Sequence, residues 1–71
     1  MEYTIRLKLG KKIKELRQKC GYTQEKLSEV ANIDYKYIQR IEGKKPPAVK
    51  IDTIGRLSKA LKVKPSKLLE F

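Results

Sequence analysis

The chain has 71 residues, enough for one small domain spanning 1–71 with no room in it for a separate ligand-binding unit; a domain of this size buries only about 60% of its unfolded surface. Lys and Arg number 18 against 8 acids, a net charge of +10 with no histidine, which points to a polyanionic partner whose attraction does not titrate near neutrality. A lone cysteine without histidine excludes an internal disulfide and the usual zinc site and fits a reducing, cytoplasmic setting, while apolar runs of at most two residues give no membrane span or leader.

Residues 1–4 read as loose, with Thr4 able to cap a helix. Ile5, Leu9, Ile13, Leu16 and Cys20 then recur at intervals of three and four, predicting a helix over residues 5–19. Gly10 weakens it by roughly 1 kcal/mol relative to Ala, so the start is expected nearer Leu7. Lys8, Lys11, Lys12 and Lys14 occupy its outer face, which lacks the Trp and Phe that would anchor it in a membrane. Gly21 ends the helix, Cys20 continues its apolar stripe, and Tyr22 is read as packing at the helix junction.

Residues 23–43, TQEKLSEVANIDYKYIQRIEG, read as two short helices around a tight turn. Thr23 caps the first with its hydroxyl, and Glu25 suits the positive end of the helix dipole. Leu27, Val30 and Ala31 form an apolar face, Asn32 tolerates the left-handed conformation of a sharp turn, and Ile33 fills the angle. Asp34 is expected to cap the second helix, which runs to Glu42 and stops at Gly43. At about 100° per residue, Ile38 and Ile41 share one face while Lys36 and Arg40 lie nearly opposite. Tyr35 and Gln39 take the flank, and Tyr37 sits nearer the buried side. Helix, short turn, helix is the helix-turn-helix pattern, and its second member carries donors outward.

Residues 43–50, GKKPPAVK, form a loop in which Pro46 and Pro47 forbid helix and stiffen the chain that carries Lys44 and Lys45. Ile51, Ile54, Leu57 and Leu61 predict a helix over residues 51–61, and Pro65 suits the first turn of a last helix over residues 65–70. Leu68, Leu69 and Phe71 give that last element more apolar surface than it can bury beneath itself. The expected fold is all-α, a compact five-helix bundle containing a helix-turn-helix. The charge is asymmetric: 8 basic against 5 acidic residues up to Tyr35, then 10 against 3 from Lys36 onward.

Gly21-Tyr22-Thr23-Gln24, Leu27-Ser28, Ile33, Tyr37-Ile38 and Arg40-Ile41-Glu42, with Leu57 to Val63 and Leu68-Leu69 later, resemble the phage repressor and Cro helix-turn-helix (Xre-type) family in order and spacing. The chain departs from that family's pattern in having Ser28 where it usually has Ala, Asn32 where it usually has Gly, and Gly43 directly after Glu42. The resemblance implies a phage-repressor-like DNA-binding domain. It also implies an Arg17–Glu42 pair across the first and third helices with the guanidinium near a phosphate, and a phosphate grip by Gln24 and the helix start at Thr23.

The expected function is sequence-specific binding of double-stranded DNA by a transcriptional regulator, a repressor of the Cro kind, reading a pseudo-palindromic operator as a homodimer. Tyr35, Lys36, Gln39 and Arg40 would face base edges, and Arg17, Thr23, Gln24, Lys44 and Lys45 would face phosphates. Pro65, Leu69 and Phe71 would meet a second subunit. Restriction–modification controllers and the DNA-binding half of an antitoxin fit the same residues; a non-specific RNA binder fits the charge but not the capped helix pair. With no histidine, no glycine-rich phosphate loop and no carboxylate cluster, an enzyme, a cofactor and a small-molecule ligand are not expected.

Overall fold

The computed structural model describes residues 2–71, with side chains from Thr4 onward. Among these residues the chain forms four α-helices, α1 (Glu2–Lys19), α2 (Gln24–Ala31), α3 (Tyr35–Ile41) and α4 (Ile51–Ala60), followed by a 3-10 turn, Pro65–Leu69. The expected five-helix bundle is therefore corrected to four helices and a terminal turn. Five residues are too few for successive α-type bonds to repay nucleation, and the segment closes on i→i+3 bonds from Lys67 N to Lys64 O (2.9 Å) and Glu70 N to Lys67 O (3.3 Å).

The start of α1 also differs from expectation. Glu2 to Thr4 are already helical, so Thr4 is no cap; Met1 lies outside the described residues. Gly10 is no weak point. It is buried where α1 crosses the end of α3, and a Cβ built on it would collide with the carbonyl oxygen of Ile41. The missing side chain lets the two backbones touch.

Three helix ends share one device. Past α1, α2 and α4 come Gly21 (φ 74°), Asn32 (φ 57°) and Lys62 (φ 62°), all left-handed. In each case the left-handed N–H bonds three residues back: Gly21 to Gln18 (3.0 Å), Asn32 to Glu29 (3.3 Å) and Lys62 to Lys59 (3.2 Å). The next N–H then bonds five residues back: Tyr22 to Arg17 (3.1 Å), Ile33 to Ser28 (3.0 Å) and Val63 to Ser58 (2.9 Å). This is the Schellman arrangement, which satisfies otherwise orphaned carbonyls and folds the following residue inward. Tyr22, Ile33 and Val63 accordingly all pack on the core.

The core joins Leu9, Ile13 and Leu16 of α1 to Leu27 and Ala31 of α2, Ile38 and Ile41 of α3, Ile54, Leu57, Ala60 and Leu61 around α4, and Leu68. Each fully buried aliphatic contributes about 1.5–3 kcal/mol of transfer free energy. Ile5, Val30 and Ile51, expected on apolar faces, are exposed instead (58%, 45% and 75%). Ile5 and Ile51 stand in the first turns of α1 and α4, and Val30 lies on the flank of a helix that turns Leu27 and Ala31 inward. Pro46 is fully buried, so the loop between α3 and α4 is anchored in the core as well as stiffened.

Two glycine substitutions test the close approach at Gly10. Gly55, inside α4, has nothing within 4 Å of a built Cβ. Gly55→Ala should stabilise the fold by about 0.4–1 kcal/mol, raising the melting temperature by a few degrees. Gly10→Ala should lower it despite the better helix propensity of Ala. Equal gains in thermal denaturation would refute the contact between α1 and Ile41.

Candidate nucleic-acid interface

α3 has only seven residues, and its local signals are weak. Asp34 stands at the cap position, but its side chain makes no capping bond, against expectation. The carbonyl of Asp34 accepts the N–H groups of Tyr37 (3.0 Å) and Ile38 (3.1 Å), and the left-handed turn at Asn32 aims the chain into the helix. From α4, the Arg56 guanidinium reaches the carbonyl of Asn32 at 3.4 Å. Two buried isoleucines, Ile38 and Ile41, hold the inner face.

The far end of α3 is clamped by charge. Arg17 Nε donates to Glu42 Oε2 at 2.8 Å and Arg17 Nη2 to Glu42 Oε1 at 3.0 Å, a bidentate pair whose side chains are only 10% and 3% exposed. Arg17 Nη1 donates to the carbonyl of Tyr22 (2.8 Å), and Gln24 Nε2 to Glu42 Oε1 (3.0 Å). One buried ion pair thus ties together α1, the junction before α2, the start of α2 and the end of α3. An exposed ion pair is worth about 0–1 kcal/mol, whereas removing one partner of a buried pair costs roughly 3–5 kcal/mol.

This geometry gives two of the expected site residues partners inside the protein. Arg17 is 8% exposed, and each of its three guanidinium nitrogens donates one bond within the protein. Gln24 is half-buried and has its amide nitrogen committed to Glu42. Thr23 is exposed and caps α2, its Oγ1 accepting from Lys26 N at 3.0 Å.

Tyr35, Lys36, Gln39 and Arg40 are all exposed on the outer side of α3, and Lys44 and Lys45 are exposed just beyond it. The carboxylate of Glu42 is turned inward to Arg17, so Asp34 is the one exposed acid between residues 34 and 45. The surface therefore offers a row of donors with little opposing charge. Tyr37, nearer the buried side of α3, braces the loop: half-buried, it donates its hydroxyl to the carbonyl of Ala48 at 3.2 Å. Its sequence signal was the inward flank position in α3, but the acceptor is backbone, which carries no residue signature. No helix among the described residues is long and apolar enough to cross a membrane, and none of them cluster as a metal-binding group.

Comparison with known proteins places this geometry. The HTH_3 helix-turn-helix family model matches residues 13–68. The chain is 39% identical over 72 residues to control protein C.BamHI of Bacillus amyloliquefaciens, covering 100% of this chain and 88% of that protein. The crystal structure of the restriction-modification controller C.AhdI from Aeromonas hydrophila superposes with a TM-score of 0.83 at 30% identity, over 89% of this chain and 94% of that one. C.Esp1396I bound to a 19 base pair DNA duplex superposes with a TM-score of 0.81 at 30% identity, over 90% and 84% of the two chains. The chain with its clamped, outward-facing cationic helix belongs to the Xre-type HTH_3 helix-turn-helix family of DNA-binding transcription regulators.

Proposed function

We propose that the protein is a controller of a restriction–modification operon that reads a pseudo-palindromic operator as a homodimer and represses transcription from it. The observation that carries the DNA reading is the cationic outer face of α3, fixed by the Arg17–Glu42 clamp. The controller role is supported by the 39% identity to C.BamHI along the whole chain.

In this reading α3 lies in the major groove. Arg40 offers its fork to guanine O6 and N7, and Lys36, Gln39 and Tyr35 meet neighbouring base edges. Thr23 and the free N–H groups at the start of α2 receive a phosphate, Gln24 flanks it, and Lys44 and Lys45 grip the backbone on the other side. Arg17 acts from behind by holding Gln24 and Glu42 in place.

One such domain covers few base pairs, and two related by a two-fold axis read half-sites about 34–36 Å apart. The patch suited to the second copy centres on Leu69, 51% exposed, beside a shallow groove of about 300 Å³ lined by Ile5, Leu9, Val49 and Ile54. Self-association would remove this apolar surface from water. Pro65, the first residue of the terminal turn, is exposed and does not line this groove; Phe71 lies instead near Lys8.

Selection of bound sites from random duplex DNA tests the whole reading: it should return a two-fold symmetric sequence, and enrichment of no sequence would refute it. In the same assay Arg40→Ala should relax discrimination at one position per half-site by about 1–3 kcal/mol, while an unchanged preference would remove Arg40 from base readout. Lys44→Ala should weaken all duplexes alike and reduce the slope of log affinity against log salt by about 1. A base-selective loss would contradict that backbone role. Leu69→Asp should shift the chain to monomer in sedimentation velocity, and a dimer of unchanged affinity would move the interface elsewhere.

A further inference from the structure

We infer that the lysine-lined groove on the outer side of α1 docks an acidic polypeptide segment that carries an apolar side chain. The groove is separate from the α3 face. It is a shallow, open groove of about 620 Å³ lined by Lys8, Lys11, Lys12, Lys14 and Phe71, with Glu15 and Gln18 alongside. α1 meets α3 through Gly10, which lies against Ile41. At about 100° per residue, Lys8 and Lys12 fall roughly 160° round the helix from Gly10, on the side turned away from α3. A partner held there can be bound while a duplex occupies the recognition helix.

The charges on this face are not arranged for the helix's own benefit. Lys8–Lys11, Lys8–Lys12 and Lys11–Lys14 are like-charge neighbours at three- and four-residue spacing, which destabilises a helix. Among the described residues, the single acid that pairs with any of them is Glu15, at 3.4 Å from Lys12. A polyanionic partner relieves that repulsion, and the concave shape gives it a bed.

The lining favours carboxylates on a polypeptide over a phosphate backbone. Glu15 and Gln18 give the lining mixed polarity, as a protein partner with donors of its own requires. Phe71 is 55% exposed and has the Lys8 ammonium 5.6 Å from its ring centroid. That cation covers a ring face on which a base would stack and leaves the ring as an anchor for an aliphatic side chain flanked by carboxylates.

The test uses the full chain and two fluorescent probes, a glutamate-rich peptide with one central leucine and a single-stranded oligothymidylate, followed by anisotropy at moderate salt. Lys8→Gln/Lys12→Gln should weaken the peptide about tenfold, and Phe71→Ala should weaken it only when the leucine is present. Lys36→Gln/Arg40→Gln should leave peptide binding unchanged, and this comparison stands whether or not the DNA reading does. Peptide binding lost with Lys36→Gln/Arg40→Gln and kept with Lys8→Gln/Lys12→Gln would overturn the proposal. So would tighter binding of the oligothymidylate through Lys8 and Lys12, or no binding of the peptide at all.

Discussion

The bidentate bond between Arg17 and Glu42 is the constraint on which the placement of α3 depends. It joins residues 25 apart in sequence, and its side chains are only 10% and 3% exposed, so solvent screens it far less than a surface pair. Gln24 takes a place on the same carboxylate oxygen that Arg17 Nη2 uses, and the third guanidinium nitrogen reaches the carbonyl of Tyr22. The result is a joint with donors fixed in direction. α3 is too short to be stable by itself, so its orientation is set by this joint and by Ile38 and Ile41 beneath it.

Backbone geometry completes the mount. Gly10 and Arg17 are seven residues apart on α1, two helical turns, and touch the end of α3 at Ile41 and Glu42 respectively. One contact is steric and the other ionic, so both the distance and the direction of the helix end are defined. At the other end, the left-handed Asn32 makes the turn and Arg56 holds its carbonyl. Beyond α3, buried Pro46 and the Tyr37–Ala48 bond pin the strand of loop that follows Lys44 and Lys45. A backbone mounted on such a frame has little conformational freedom left to lose on docking, so the ordering cost is confined to the exposed side chains.

Charge is divided between two surfaces. The outer face of α3 joins one arginine to lysines, a glutamine and a tyrosine, which in the proposed function read bases as well as attract phosphates. The outer side of α1 carries four lysines around an exposed phenylalanine, with Glu15 and Gln18 beside them. Both contribute to the long-range field that steers a polyanion toward the protein, and only the first has hydrogen-bonding groups suited to discriminating bases.

The sequence alone determined most of the helix pattern, the caps at Thr23 and Asn32, the inward isoleucines of α3 and the outward Lys36 and Arg40. These follow from periodicity and from residue-specific backbone preference, which are local properties. The resemblance to a family also pointed to the pairing of Arg17 with Glu42. Local signals failed where the answer depended on what lay across the molecule. Gly10 reads as a helix weakness until α3 is seen against it, and Pro46 reads as a linker residue until its burial is seen. Ile5 and Ile51 keep an apolar period although no neighbour covers them, and Lys62 adopts the left-handed conformation with no glycine or asparagine to announce it. Only the tertiary structure decided that Arg17 is enclosed, bonded to Glu42 and to the carbonyl of Tyr22, because burial is a property of the surrounding chain, and a charged side chain in sequence carries no mark of which partner will enclose it.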